Sequence, residues 1–322
     1  MVTSWPKNFP GLGAGAETLA RYINELSDGS LKVQVFGANE LVPPLGVFDY
    51  VSSGGAEMGH SGAYYWKGKT EAAQFFSSVP FGMTAQEMNS WLYYGDGLSL
   101  WEEVYEDFNL VPRPAGNTGV QMGGWFNKEI NSTDDLKGLK MRIPGLGGEV
   151  LARAGGTPFT LAGAEIFTSL QTGVIDATEW VGPYNDRAFG LHKAAKYYYY
   201  PGWHEPGPSL ECIINKDAYS RLSEPQQAII DIACKAANID MISDYMSKNY
   251  QALEYFKKEK VKIKKFPNEV IEKLHKISDE VLIDLSQKNI LAKKVYDSYI
   301  DFLNRVRPWT LISEDGYLNS VK

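Results

Sequence analysis

The chain has 322 residues, 44% of them apolar and 22% charged, which is enough for two core-bearing lobes and unlike a disordered chain or a coiled coil. Net charge is -7 and no lysine–arginine cluster interleaves with aromatics, which argues against nucleic acid as a partner. No apolar run approaches the roughly 18 residues needed to cross a bilayer.

A strand at 2–5 opens the chain, and Met1 directly precedes it in a run, M-V-T-S-W, that already looks like strand. The sequence therefore reads as a mature or trimmed form, and the lack of a leader says little about secretion. A Pro/Gly-rich turn leads to a helix at 14–26, with Leu19, Tyr22, Ile23 and Leu26 on one face and Gly29 at its stop. An alternating strand (Leu31, Val33, Val35), a helix at 43–51 and a strand at 56–60 follow. This β-α-β-α-β order predicts a parallel sheet covered by helices. Residues 84–107 read as helical, 110–112 and 120–127 as strands, and the second of these as the crossover into another lobe.

In the second lobe, Ser132 or Thr133 caps a one-turn helix ending at Gly138. A strand at 139–143, helices at 146–154 and 163–172 and a strand at 174–180 repeat the α/β alternation. A return strand at 209–215 rejoins the first lobe, and more than one crossover makes a hinge. Ser223 starts a very long helix, with Pro225 in its first turn and Gln226 at the capping-box position, running to about 258. A short strand at 261–266 and helix at 268–306 precede an amphipathic tail. The basic run K-K-E-K-V-K-I-K-K at 257–265 reads as a solvated face. The expected fold is α/β and two-lobed, with a hinge, multiple crossovers and a long helix spanning both lobes. Lobe I takes 1–119 and about 206–240; lobe II takes 120–205 and about 241–266; 267–322 form a C-terminal helical segment.

Few residues are placed to act on a ligand. Arg142 ends a short strand just before Ile143, Pro144 and Gly145, where a planar guanidinium would grip a carboxylate bidentately. Glu179 and Trp180 end another strand at Gly182-Pro183, and ligands of open α/β sheets bind beyond the carboxyl ends of strands. Asp176 falls on the opposite strand face and suits structural pairing. Glu205 lies in the aromatic-rich loop Y-Y-Y-Y-P-G-W-H-E-P and either faces solvent or pairs with Glu179; of the four histidines only His204 sits near this region. Gln121, in Q-M-G-G-W-F at the crossover, is as readily structural as ligating. Tyr64 and Tyr65 follow the third strand and either pack in the loop or wall off a ligand.

No nucleophile–base pair, P-loop or dinucleotide fingerprint accompanies these residues. G-L-G-A-G-A at 11–16 lacks the spacing and the acidic partner. Cys212 and Cys234 fit no metal spacing and read as small buried residues rather than a disulfide. Binding is therefore expected in place of catalysis.

The blocks D-L-K-G-L-K-M-R-I-P-G and G-G-T-P-F-T-L-A-G-A-E-I-F-T-S-L-Q-T-G-V-I-D-A-T-E-W, with the long helix after Ser223, resemble the substrate-binding proteins of TRAP transporters, the tripartite ATP-independent periplasmic carriers. M-V-T-S-W-P-K, Q-M-G-G-W-F, E-W-V-G-P-Y-N-D and W-H-E-P resemble the branch that binds 2-oxoacids or 2-hydroxyacids with a metal ion. The resemblance implies a periplasmic receptor working with membrane permease subunits. It implies that Arg142 pairs with the ligand carboxylate and that Tyr64 or Tyr65 contacts the ligand. The metal is expected on Gln121, Glu179, the Trp180 carbonyl and Glu205, and it also touches the ligand. It further implies a possible homodimer through the C-terminal helix. Two glutamates, one arginine and a monocarboxylate sum to minus two; a divalent ion neutralises this and sodium leaves minus one, which favours calcium over sodium in a buried site. A metal-free receptor for a dicarboxylate or lactate, a sensor receptor of the same fold, and a hydrolase using Glu179 and Glu205 as acid and base are the alternatives.

Overall fold

The computed structural model describes residues 1–321. Its ten strands are β1 (Val2–Thr3), β2 (Met58–Ser61), β3 (Leu110–Asn117), β4 (Gly124–Phe126), β5 (Lys140–Arg142), β6 (Thr157–Phe159), β7 (Ala177–Thr178), β8 (Tyr197–Tyr200), β9 (Ser209–Asn215) and β10 (Lys262–Lys265). They form two sheets: four strands in the order β1-β2-β9-β3, and six in the order β10-β8-β4-β7-β5-β6. The chain passes between the sheets after β3, again between β8 and β9, and a third time before β10. Two lobes joined by more than one chain crossing are the expected architecture.

The first sheet is not the parallel sheet that the β-α-β-α-β reading predicts. Only β1 and β2 pair in parallel, while β9 runs antiparallel to both β2 and β3. The alternating segment 31–35 makes no ladder; its neighbour Phe36 forms a single bridge to Val2. Alternation marks a half-buried extended chain, and here the apolar side of that chain packs beside the first helix without joining the sheet. In the second sheet the strands predicted at 120–127 and 174–180 shrink to three and two residues. Tyr197–Tyr200, read as loop, is a strand between β4 and β10.

The helices are α1 (Leu12–Leu26), α2 (Val47–Ser52), α3 (Ala85–Tyr94), α4 (Gly97–Tyr105), α5 (Gly145–Arg153), α6 (Gly163–Gln171), α7 (Pro183–Ala188), α8 (Lys216–Ser220), α9 (Glu224–Lys258), α10 (Asn268–Ser286), α11 (Ile290–Thr310) and α12 (Gly316–Ser320). Gly95 separates α3 from α4, and Asn289 caps α11 where one continuous helix is predicted. Ser223 and Gln226 form the expected capping box of α9. At 35 residues α9 is about 50 Å long. Its first part packs on α1 and β3 and its later part on α7, so it lies along both lobes. After it, α10 packs on α5 of the second lobe and α11 on α3 and α4 of the first. Among the described residues no helix is long and apolar enough to cross a membrane. Both cysteines are buried and free, as expected.

Candidate functional site

The site lies between the lobes, at the strand ends of the second sheet. Parallel β5 and β7 pair Arg142 with Thr178, so the guanidinium and the next residue, Glu179, leave the sheet side by side. Arg142 Nη1 bonds Glu179 Oε1, and both side chains are 1% exposed. Arg142 Nε donates to the Leu161 carbonyl at 3.2 Å, Nη2 donates to Tyr65 Oη at 3.2 Å, and the guanidinium lies 5.0 Å from the centre of the Trp180 ring. Burial opposes the charge on Arg142, but Glu179 beside it, with Tyr65, Tyr64 and Glu205, keeps it firmly protonated.

Tyr64 and Tyr65 sit on a 3-10 turn, Ala63–Trp66, of the first lobe. Both face the cluster: their rings meet edge to face at 4.6 Å, and Tyr65 is the one bonded to Arg142. Burial pushes the Tyr64 hydroxyl well above the ordinary range, with Tyr65 and Glu205 adding to the effect. Trp180 is walled by first-lobe aromatics, edge-on to Trp5 and Phe9 at 6.4 Å each.

Gln121 and Glu205 complete the cluster from the crossover segments. The Gln121 amide N–H donates to the Glu205 carbonyl at 3.1 Å, and its side-chain Nε2 donates to Thr118 Oγ1 at 3.1 Å. Burial pushes the Glu205 carboxyl well above the carboxylate range; Glu179 raises it further, and Arg142 and Gln121 only partly offset this. Buried oxygens without a partner converge here: Gln121 Oε1, Glu179 Oε2 and Glu205 Oε2. A buried carboxylate oxygen without a donor is costly, so this donor set fits a cation. One ligand atom each from Glu179, His204 and Glu205 lie within 4.8 Å of one another.

His204 is the residue the sequence reading placed nearby without a role. Its Nε2 is 3.4 Å from Glu179 Oε2, too poorly aligned for a hydrogen bond, and neither ring nitrogen has a partner. Asp186 is a second omission. It accepts from Trp125 Nε1 at 2.9 Å, Tyr198 Oη at 2.7 Å and Val181 N at 3.3 Å, and so fixes the chain just after Glu179 and Trp180. The sequence cue was its place in E-W-V-G-P-Y-N-D, a carboxylate one helical turn beyond a strand end. Asp176 lies apart from the cluster, accepting from Lys140 N at 3.1 Å and facing Lys128 at 3.7 Å.

The paired strand ends, the buried cation–carboxylate cluster and the two-sheet frame are those of a solute receptor. Residues 1–289 match the family described as bacterial extracellular solute-binding protein, family 7, and the chain belongs to that family, the solute-binding proteins of TRAP transporters. It is similar to the monocarboxylate 2-oxoacid-binding periplasmic protein of a Nostoc species, 45% identical over 99% of this chain and 87% of that protein. It is also similar to a TRAP periplasmic solute-binding protein from Pseudoalteromonas atlantica, solved with bound sodium and pyruvate. That structure is 44% identical, covers 99% of this chain and 97% of its own, and has a TM-score of 0.96. A third, from Colwellia psychrerythraea, was solved with bound calcium and pyruvate. It is 43% identical, covers 99% and 98%, and has a TM-score of 0.96.

Proposed function

We propose that this protein is the extracytoplasmic receptor of a TRAP transporter and binds a small 2-oxo monocarboxylate, pyruvate or a similar acid, together with a cation. The observation that carries the reading is the convergence of Arg142 with three unpartnered buried oxygens, those of Gln121, Glu179 and Glu205. Arg142 meets the acid's carboxylate, with Tyr65 or Tyr64 beside it. Gln121, Glu179, the Trp180 carbonyl and Glu205 hold the ion. The ion supplies positive charge that lets the acid's oxygens share a buried site with two carboxylates. Calcium is favoured over sodium by the same charge balance.

The receptor works in the periplasm, carries out no reaction, and hands its ligand to membrane permease subunits. Residues 1–119 with about 206–240 move as lobe I, and 120–205 with about 241–266 as lobe II. The segment 267–322 supports a homodimer: Trp309, Ile312 and Tyr317 are 67%, 74% and 65% exposed on it. Sedimentation of the full chain against a variant ending at Arg307 tests that point; a monomer in both cases removes the dimer.

The ligand class is tested by thermal shift with calcium present, across pyruvate, lactate, succinate and a neutral sugar. Stabilisation by pyruvate above the others supports the reading. Succinate above pyruvate would favour the dicarboxylate receptor, and turnover of a glycoside would favour the hydrolase.

A further inference from the structure

We infer that His60 is a positioning residue for the acid site: it holds the Trp5 indole against Tyr65 and Trp180, the two aromatic side chains that flank the Arg142 guanidinium. This rests on the proposed receptor function and adds to it a residue outside the cluster that sets the cluster's affinity.

His60 lies on β2, between β1 and β9, and is 0% exposed. Trp5 Nε1 donates to His60 Nδ1 at 2.9 Å. An indole N–H only donates, so Nδ1 is the bare nitrogen and Nε2 carries the proton. Nε2 in turn lies 3.2 Å from the Ala115 carbonyl. The β3–β9 register shifts between Pro114 and Gly116, and His60 takes the carbonyl at that irregularity. Burial pushes the imidazole down to about 4, with the Ala115 bond pulling the other way. The ring is therefore neutral, and one tautomer persists at neutral pH. The backbone of Trp5 is pinned as well: its carbonyl accepts from Thr3 Oγ1 and from Ala38 N, each at 2.8 Å. The indole is thus held at both ends.

The Trp5 ring is 1% exposed and lies 6.2 Å from the Tyr65 ring and 6.4 Å, edge-on, from Trp180. Tyr65 Oη accepts from Arg142 Nη2 at 3.2 Å, and Trp180 lies 5.0 Å from the guanidinium. One indole therefore braces both groups that orient the arginine, and its polar anchor is His60. A binding group has to be held within about 0.5 Å of its productive geometry, which side chains behind it must enforce.

The test is calorimetry of pyruvate, with calcium present, on the full chain as wild type, His60→Asn and His60→Gln. Asparagine places an amide oxygen near the position of Nδ1 and keeps the acceptor for Trp5. Glutamine places an amide nitrogen near Nε2 and keeps only the donor to Ala115. The glutamine variant should lose about tenfold in affinity, the scale of one buried hydrogen bond, while the asparagine variant stays within about threefold of wild type. The reverse order would show that the ring serves Ala115 alone and would overturn the inference. Equal affinities, or equal losses, in the two folded variants would overturn it too. Nitrogen-15 magnetic resonance of the wild-type protein needs neither variant to fold: His60 should show a bare Nδ1 and a protonated Nε2 at neutral pH. A protonated Nδ1 would overturn the inference. A wild-type protein that shows the bare Nδ1 but binds no pyruvate would instead remove the receptor reading on which the inference rests.

Discussion

Arg142 and Glu179 form an ion pair in which both side chains are 1% exposed, and the pair comes directly from the β5–β7 register. Arg142 ends β5 and Glu179 directly follows β7, and Glu179 Oε2 has no hydrogen-bond partner. Breaking a buried pair from one side leaves an uncompensated charge, which typically costs about 3–5 kcal/mol. Arg142→Ala is therefore expected to lower stability by about that amount and to abolish acid binding, read by denaturant titration and calorimetry. Arg142→Lys keeps the charge but loses the planar fork; stability should largely survive while affinity falls by about tenfold or more. Full affinity in the lysine variant would show that the fork does not grip the ligand.

The Glu205 carboxyl is held well above its ordinary range by burial and by Glu179. A cation must displace that proton before the oxygen can ligate it. Cation affinity should therefore rise with pH, and binding should release protons. Calorimetry of calcium in two buffers of different ionisation enthalpy reads the release directly. Glu205→Gln should abolish it, and an unchanged proton count in that variant would exclude Glu205 as the group that titrates.

Glu211 is buried on β9 behind the tyrosine turn, bonded by Trp66 Nε1 and by Tyr105 Oη at 2.8 Å. Burial pushes its carboxyl up to about 7, with the two hydrogen bonds pulling the other way. The folded protein therefore holds a proton that the unfolded chain has released between about pH 4.5 and 7. The contribution of Glu211 to stability is full below that window and is lost as pH rises through it. Glu211→Gln should flatten the loss, by a total on the order of 3 kcal/mol at about 1.4 kcal/mol per unit. Parallel pH–stability curves for the two proteins would show that another group sets the slope.

Cys212 and Cys234 are 0% and 1% exposed. Neither thiol should react with a thiol reagent in the native protein at neutral pH, and two should react once it is denatured. Fast native labelling of either would mean that α9 opens away from β9 locally.

The sequence made the frame legible where periodicity and punctuation agreed. The long helix after Ser223 carries its own capping box and proline, and it appears as read. The first sheet departs from the parallel reading because strand direction depends on long-range partners: β9 enters from about 90 to 155 residues away and runs against β2 and β3. Tyr197–Tyr200 carries no alternation to mark it, since all four residues are tyrosine and Tyr198 and Tyr199, on opposite faces of the strand, are both buried. In the site, Arg142 and Glu179 were legible because each precedes a proline–glycine stop at a strand end, and Gln121, Glu205 and the tyrosines came mainly with the family resemblance. His204 could not be assigned, because an isolated histidine has no local signal until the fold sets it against Glu179. Asp186 was missed for the same reason: its three donors come from β4, β8 and the chain after β7.

The most direct test is calorimetric titration of pyruvate into ligand-stripped protein, first with calcium and then with a calcium chelator in sodium-free buffer. Binding that disappears with the chelator and returns with calcium, or returns with sodium alone, is the predicted result. Equal affinity with no cation present would contradict the cation-bridged site and leave Arg142 as the sole anchor of the acid.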